Sequence, residues 1–219
     1  MIPKLIIFDF DGTLADTTAT ILLTYRMAIR ELKADSRTDA ECQATIGLPL
    51  KEGFRQLYPC YTEEQLDFCV KTYRRIFNEN KSRLVPKLYP GVKETLKELA
   101  QLKIQMTVAS SRSRESLMEF CDNNDINKYF SLVLGADDVE HPKPNPEPVL
   151  MTLATLKQDA DQTIVVGDMP VDIAMGNGAG CLTAGVTYGN SSRSELIKAG
   201  AFYVLDTFPE IITRVIYDR

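Results

Sequence analysis

Two carboxylates at the end of an apolar run carry the first chemistry in this chain. Asp9 and Asp11 follow Leu5-Ile6-Ile7-Phe8, whose β-branched and aromatic content predicts a buried strand. Residues two apart on a strand project to the same side, which sets the acids roughly 6 to 7 Å apart at Cα, near enough to act on one small ligand. An ionised carboxylate is costly to bury without a partner, so a cation belongs beside them. Gly12 lets a ligand approach the backbone, and Thr13 offers a hydroxyl and an N–H to a phosphate oxygen. The same letters also describe an ordinary Asp-Gly turn closing a strand, so the rest of the chain has to decide.

Further polar residues stand at other strand ends. The apolar stretch 104–109 stops at Ser110, with Ser111 and Arg112 behind it, and Lys143 lies between two prolines after the stretch 132–134. The stretch 163–166 stops at Gly167-Asp168, and Asp172 follows one helical turn later if a helix begins near Pro170. Taken singly, Ser110 reads equally as a helix cap, Lys143 as a solvated loop lysine and Asp172 as an acid at a helix start. Arg112 reads as substrate contact or exposed surface, and His141 as a hydrogen-bonded loop residue. Independent packing demands would not place a nucleophile candidate, a hydroxyl, a cation and another acid on one rim.

The elements that must position these residues follow two patterns. From residue 15 to 85 the text is helical. Asp16-Thr17-Thr18 offers a cap, and Ile21, Leu22, Tyr25, Ala28, Ile29 and Leu32 recur at helical spacing. Breaks fall at Gly47-Leu48-Pro49 and Pro59, and Thr62 to Gln65 spells a capping box. This predicts a small helical domain inserted at 15–85, with hinges near 14–17 and 83–89, in a core domain formed by 1–14 and 86–219. From Tyr89 onward, continuous apolar strands alternate with helices and the end reads as a strand at 203–205 and a helix from Phe208. The predicted class is therefore α/β, a Rossmann-like parallel sheet with helices on both faces, whose ligands bind beyond the carboxyl ends of the strands.

Composition narrows the functions. The chain has 219 residues, 44% of them apolar, which is ample for a core. Thirty acids against 25 bases give a net charge of −5 with no basic block, so nucleic acid is excluded as a partner. No run of about 18 apolar residues predicts a membrane span, and without a secretory pattern the expected location is cytoplasmic. Five scattered cysteines predict reduced thiols. One histidine excludes histidine-rich metal sites. Gly176, Gly178 and Gly180 close a helix before a strand, the wrong side for a dinucleotide fingerprint.

Taken together, the stations resemble the four motifs of the haloacid dehalogenase superfamily. Asp9-Phe10-Asp11-Gly12-Thr13 is similar to D-x-D-G-T, Ser110 to the serine ending the second strand, Lys143 to the third motif's lysine, and Gly167-Asp168 with Asp172 to G-D-x-x-x-D. The resemblance implies that Asp9 is a nucleophile forming an aspartyl-phosphate, and that Asp11 is general acid and base with its backbone carbonyl on a metal. It implies Mg2+ held by oxygens of Asp9, Asp11 and Asp168, with Asp172 bound to the metal or orienting its water or Lys143. Ser110 and Lys143 would hold the phosphoryl oxygens, with Gly12, Thr13, Ser111 and Arg112 beside them. The inserted helices resemble a cap domain, and its segment Ile46 to Lys51 resembles a specificity loop in which Gly47 and Lys51, or Arg55, meet substrate. With a tail at 185–206 similar to phosphoglycolate-phosphatase-like proteins, the expectation is a phosphatase for a small phosphorylated metabolite, working as monomer or homodimer. Phosphoglycolate is the first candidate. Pyrophosphate or a nucleotide, a sugar phosphomutase, and an idle phosphate-binding domain follow.

Overall fold

The strand predicted first, β1 (Leu5–Phe8), is buried at all four residues because it has neighbours on both edges and helices on both faces. In the computed structural model, which describes residues 2–80 and 86–217, β1 pairs in parallel with β4 (Gln105–Ala109) on one side and β6 (Thr163–Gly167) on the other. Ile6 stands opposite Met106 and Ile164. With β5 (Leu132–Leu134), β7 (Leu182–Val186) and β8 (Tyr203–Leu205), the strand order is β5-β4-β1-β6-β7-β8, all parallel. Alternation along β1 divides the core: Ile6 and Phe8 face one apolar layer with Leu96, Met106 and Phe208. Leu5 and Ile7 face the other, with Val149, Val165 and Met175.

The connections are the helices α5 (Val92–Gln101), α6 (Arg114–Asn123), α7 (Glu147–Leu156), α8 (Pro170–Gly178) and α9 (Arg193–Lys198). The closing helical segment runs Ile211–Ile216, three residues later than the predicted start at Phe208. Chain order reverses at β1, whose neighbours β4 and β6 leave it on opposite sides, and that is where a ligand crevice opens in such sheets.

Between β1 and α5 lies a helical block of α1 (Thr18–Glu31), α2 (Asp39–Gln43), α3 (Leu50–Leu57) and α4 (Glu63–Asn80). It has its own apolar core, in which the rings of Tyr25, Phe54 and Tyr73 meet edge to face with centroids 5.0 to 6.2 Å apart. The Thr62–Gln65 capping box forms, with the Thr62 N–H donating to Gln65 Oε1 at 2.8 Å and the Gln65 N–H to Thr62 Oγ1 at 3.3 Å. Thr17, expected to cap α1, makes no such bond.

The expected hinges take another form. β2 (Ala15–Asp16) pairs antiparallel with β3 (Lys87–Leu88), Ala15 opposite Leu88, and the Tyr89 N–H donates to the Leu14 carbonyl at 3.0 Å. The two connections are thus one ribbon, because paired backbones satisfy the polar groups that two separate linkers would leave to water. Positions 83–85 of the expected second hinge lie outside the described residues. All five cysteines are free, and among the described residues no helix is long and apolar enough to cross a membrane.

Phe54 is fully buried between Tyr25 and Tyr73, so Phe54→Ala is expected to lower the unfolding free energy in a urea titration by about 3–5 kcal/mol. A loss below about 1 kcal/mol would show that the helical block closes over the void.

Candidate active site

The carboxyl ends of β1, β4 and β6 deliver Asp9, Ser110 and Asp168 to one buried centre, and the loop after β5 brings Lys143 to it. Lys143 Nζ donates to Asp9 Oδ1 at 2.5 Å and to Asp172 Oδ1 at 2.6 Å. The other oxygen of Asp172 accepts the Met169 N–H at 3.0 Å, capping α8. Both Asp172 oxygens are therefore engaged, and of the roles expected for it the structure displays the orientation of Lys143. Asp168 is fully buried, and its Oδ2 accepts the backbone N–H of Asn190 at 2.7 Å and the Asn190 side-chain amide at 2.9 Å. The Thr13 hydroxyl lies 3.3 Å from Asp9 Oδ2 and 3.4 Å from Asp168 Oδ1.

Charge does not balance in this centre. Asp9, Asp168 and Asp172 each place one oxygen within 4.8 Å of the others, all buried, against the single ammonium of Lys143. Burial pushes Asp9 well above the usual carboxylate range, with Asp172, Asp168 and Asp11 adding to the rise and Lys143 opposing it. Asp168 is pushed up to about 7, by burial first and by Asp172, against the donors of Asn190 and against Lys143. Burial alone would lower the Lys143 ammonium, but Asp172 and Asp9 hold it above its ordinary value. Fully ionised, the three acids would carry two negative charges beyond the Lys143 ammonium, presented as hard oxygens, and that state fits a bound divalent cation. Asp9 and Asp168 have the positions to hold one.

Asp11 is directed elsewhere. Arg112 donates to it through Nη2 at 2.6 Å and Nε at 3.2 Å, occupying both carboxylate oxygens, so the side chain of Asp11 stands outside the acidic cluster. Arg112 is not a solvent-exposed surface residue: it lines the cavity while its guanidinium is held by Asp11. Its guanidinium lies between Phe10 of the sheet domain and Phe77 of α4, 5.8 and 5.3 Å from the ring centroids. Asp11 raises the guanidinium's pKa against the lowering effect of burial.

The remaining expected residues divide. Ser110 lines the cavity beside Asp9, and its oxygen accepts the Arg112 N–H at 3.2 Å, leaving its O–H free to donate. Gly12 has φ +87°, and a Cβ there would lie 2.2 Å from Asp168 Oδ2, so only glycine lets this turn approach the acids. The Thr13 N–H, expected to meet phosphate, turns back to the Phe10 carbonyl at 3.3 Å. The Ser111 hydroxyl donates to the Gly47 carbonyl at 2.7 Å, joining the sheet domain to the helical block at the cavity wall. Lys51 does not reach the cavity: its ammonium meets Asp67 at 2.5 Å and Glu63 at 3.0 Å, because α4 carries acids along that face of α3. Arg55 pairs with Glu52 and Glu63. His141 is exposed and its Nδ1 lies 2.7 Å from Glu147 Oε2.

In the sequence Asn190 stands out only as part of the tail at 185–206, with no role at the site. Besides holding Asp168, its side-chain oxygen accepts from Thr18 Oγ1 at 3.2 Å and Gln43 Nε2 at 3.3 Å, both in the helical block. The available signal was the rule already applied to the other strands, since Asn190 follows the carboxyl end of β7. A cavity of about 490 Å3 opens above Asp9, walled by the helical block and the loops after β4 and β5.

Comparison with known proteins places these features in a family. The chain is 37% identical over 210 residues to "Probable phosphatase IndB" of Dickeya dadantii, spanning 95% of this chain and 91% of that protein. It is 31% identical over 207 residues to "Pyrophosphatase PpaX" of Bacillus velezensis, spanning 94% of each. A crystal structure from Bacteroides fragilis, of a protein assigned to the haloacid dehalogenase-like hydrolases, matches with a TM-score of 0.91 at 27% identity, over 95% of this chain and 99% of that one. The family model described as haloacid dehalogenase-like hydrolase covers residues 6–186, from β1 to the end of β7 and so through every motif of the acidic centre: the chain belongs to the haloacid dehalogenase-like hydrolases.

Proposed function

We propose that this chain is a Mg2+-dependent phosphatase that hydrolyses an organic phosphate monoester through a phosphorylated Asp9. The observation that carries this reading is the setting of Asp9, a buried carboxylate on the cavity floor with one oxygen held by Lys143 and the other facing Thr13. Family membership and the phosphatase and pyrophosphatase names of its relatives support phosphate hydrolysis. Hard oxygens on Asp9 and Asp168, with negative charge in excess, support Mg2+, which when bound supplies positive charge against the phosphoryl oxygens.

A carboxylate oxygen of Asp9 attacks phosphorus, the ester P–O bond breaks, and the departing alkoxide takes a proton from Asp11. Water then attacks the same phosphorus and passes a proton to Asp11. The bond to Asp9 breaks, inorganic phosphate leaves and the carboxylate is restored. Ser110 and Lys143 are placed to hold phosphoryl oxygens throughout. Asp11 takes part only after its carboxylate parts from Arg112, which both of its oxygens now face. The finer expectation of phosphoglycolate is weakened at one point, since both basic residues offered for its carboxylate, Lys51 and Arg55, are tied to acids of the helical block.

Asp9→Asn is expected to cut phosphate release from p-nitrophenyl phosphate by about a thousandfold or more with an unchanged circular dichroism spectrum; undiminished release would remove Asp9 as the nucleophile. Chelation is expected to abolish turnover and Mg2+ to restore it, and Asp168→Asn to raise the Mg2+ concentration for half-maximal rate by about 10- to 100-fold. Activity indifferent to both would dismiss the metal. Lys143→Ala strips the ammonium from two buried acids, so a loss of about 3–5 kcal/mol in denaturant unfolding is expected alongside the loss of rate; wild-type stability would show that the acids find other partners.

A further inference from the structure

Resting on the phosphatase reading, we propose that the ester's leaving alcohol is an uncharged, hydroxyl-bearing body of nucleoside size with one broad apolar face, and that Phe77 and Glu115 select it against a second anionic group. Size is the first argument. A cavity of about 490 Å3 lies in the range that encloses ligands well beyond a two-carbon acid or a second phosphoryl group. The helical block lends that cavity apolar side chains among polar ones: Ile21 of α1, Leu48 just before α3, Leu50 at its start and Phe77 of α4 line it, with Thr45 and Asn78 beside them. Water against these side chains is best displaced by an apolar surface of similar breadth.

Charge is the second argument. Among the described residues, the basic ones lining the cavity are Arg74 and Arg112, and the Arg112 guanidinium is already matched by Asp11. That leaves Arg74, among the described residues, to offset Glu115 of α6 and Asp137 after β5, both on the cavity's sheet-domain side. A carboxylate or phosphate at the far end of a substrate would meet more like than unlike charge. Hydroxyl groups, in contrast, can donate to these acids, and Ser113 and Ser116 beside them can donate or accept. The wall therefore presents acceptors and an apolar face in the same space, and the phosphoryl group at Asp9 is the substrate's one anionic end.

Rates of phosphate release are to be compared for nucleoside 5′-monophosphates, ribose 5-phosphate, phosphoglycolate and pyrophosphate, with p-nitrophenyl phosphate as a reference ester. The expected order of kcat/KM is nucleoside monophosphate, then ribose 5-phosphate, then the two doubly anionic compounds, with about tenfold or more between first and last. Phe77→Ala is expected to close the gap between nucleoside monophosphate and ribose 5-phosphate, and Glu115→Lys to raise phosphoglycolate relative to both. Phosphoglycolate or pyrophosphate turned over as well as or better than the nucleoside monophosphate overturns this inference and leaves the phosphatase reading standing. So does ribose 5-phosphate equal to the nucleoside monophosphate. No release from any compound, the reference ester included, overturns both.

Discussion

One ammonium between two buried carboxylates holds the centre of this protein together. Lys143 bonds Asp9 at the end of β1 and Asp172 in the first turn of α8, and reaches them from the loop after β5, so two ion pairs tie three separate parts of the fold. Buried ion pairs of this kind seldom add much stability over an apolar substitute, because desolvation offsets the attraction. Their geometry is what the fold retains. The third acid, Asp168, makes no ion pair with Lys143 and is held instead by the Asn190 donors and the Thr13 hydroxyl.

Most of this arrangement could be read from spacing. Strands buried on both faces announce themselves as unbroken apolar runs, and β1, β4 and β6 are each followed at once by a polar residue, so Asp9, Ser110 and Asp168 were legible as a group on one rim. Lys143 was legible from its place on the same rim. What escaped depends on neighbours distant in sequence. Lys51 reads as a free cation until α4 lays Glu63 and Asp67 beside it. Arg112 reads as a surface or substrate residue until it meets Asp11, a hundred and one positions away. The β2 and β3 strands, two residues each, are too short for any periodicity to declare them.

Asn190 joins the acidic centre to the helical block. The same side chain donates to Asp168 and accepts from Thr18 and Gln43, so the acid most dependent on hydrogen bonding is coupled to where the helical block sits. Ser111 and the Gly47 carbonyl form a second stitch, at the cavity wall. Displacement of the block therefore disturbs the environment of Asp168 and the width of the cavity together, through contacts that involve neither Asp9 nor Lys143.

The ribbon of β2 and β3 has a consequence for how such chains diversify. Both crossings between helices and sheet run through four paired residues, so the entire insert hangs from a single two-stranded stalk. Any helical graft whose ends match that stalk can be exchanged without shifting the register of a sheet strand. What such a graft must still supply are the groups that now meet Asn190, Ser111 and the Arg112 guanidinium from the helical side.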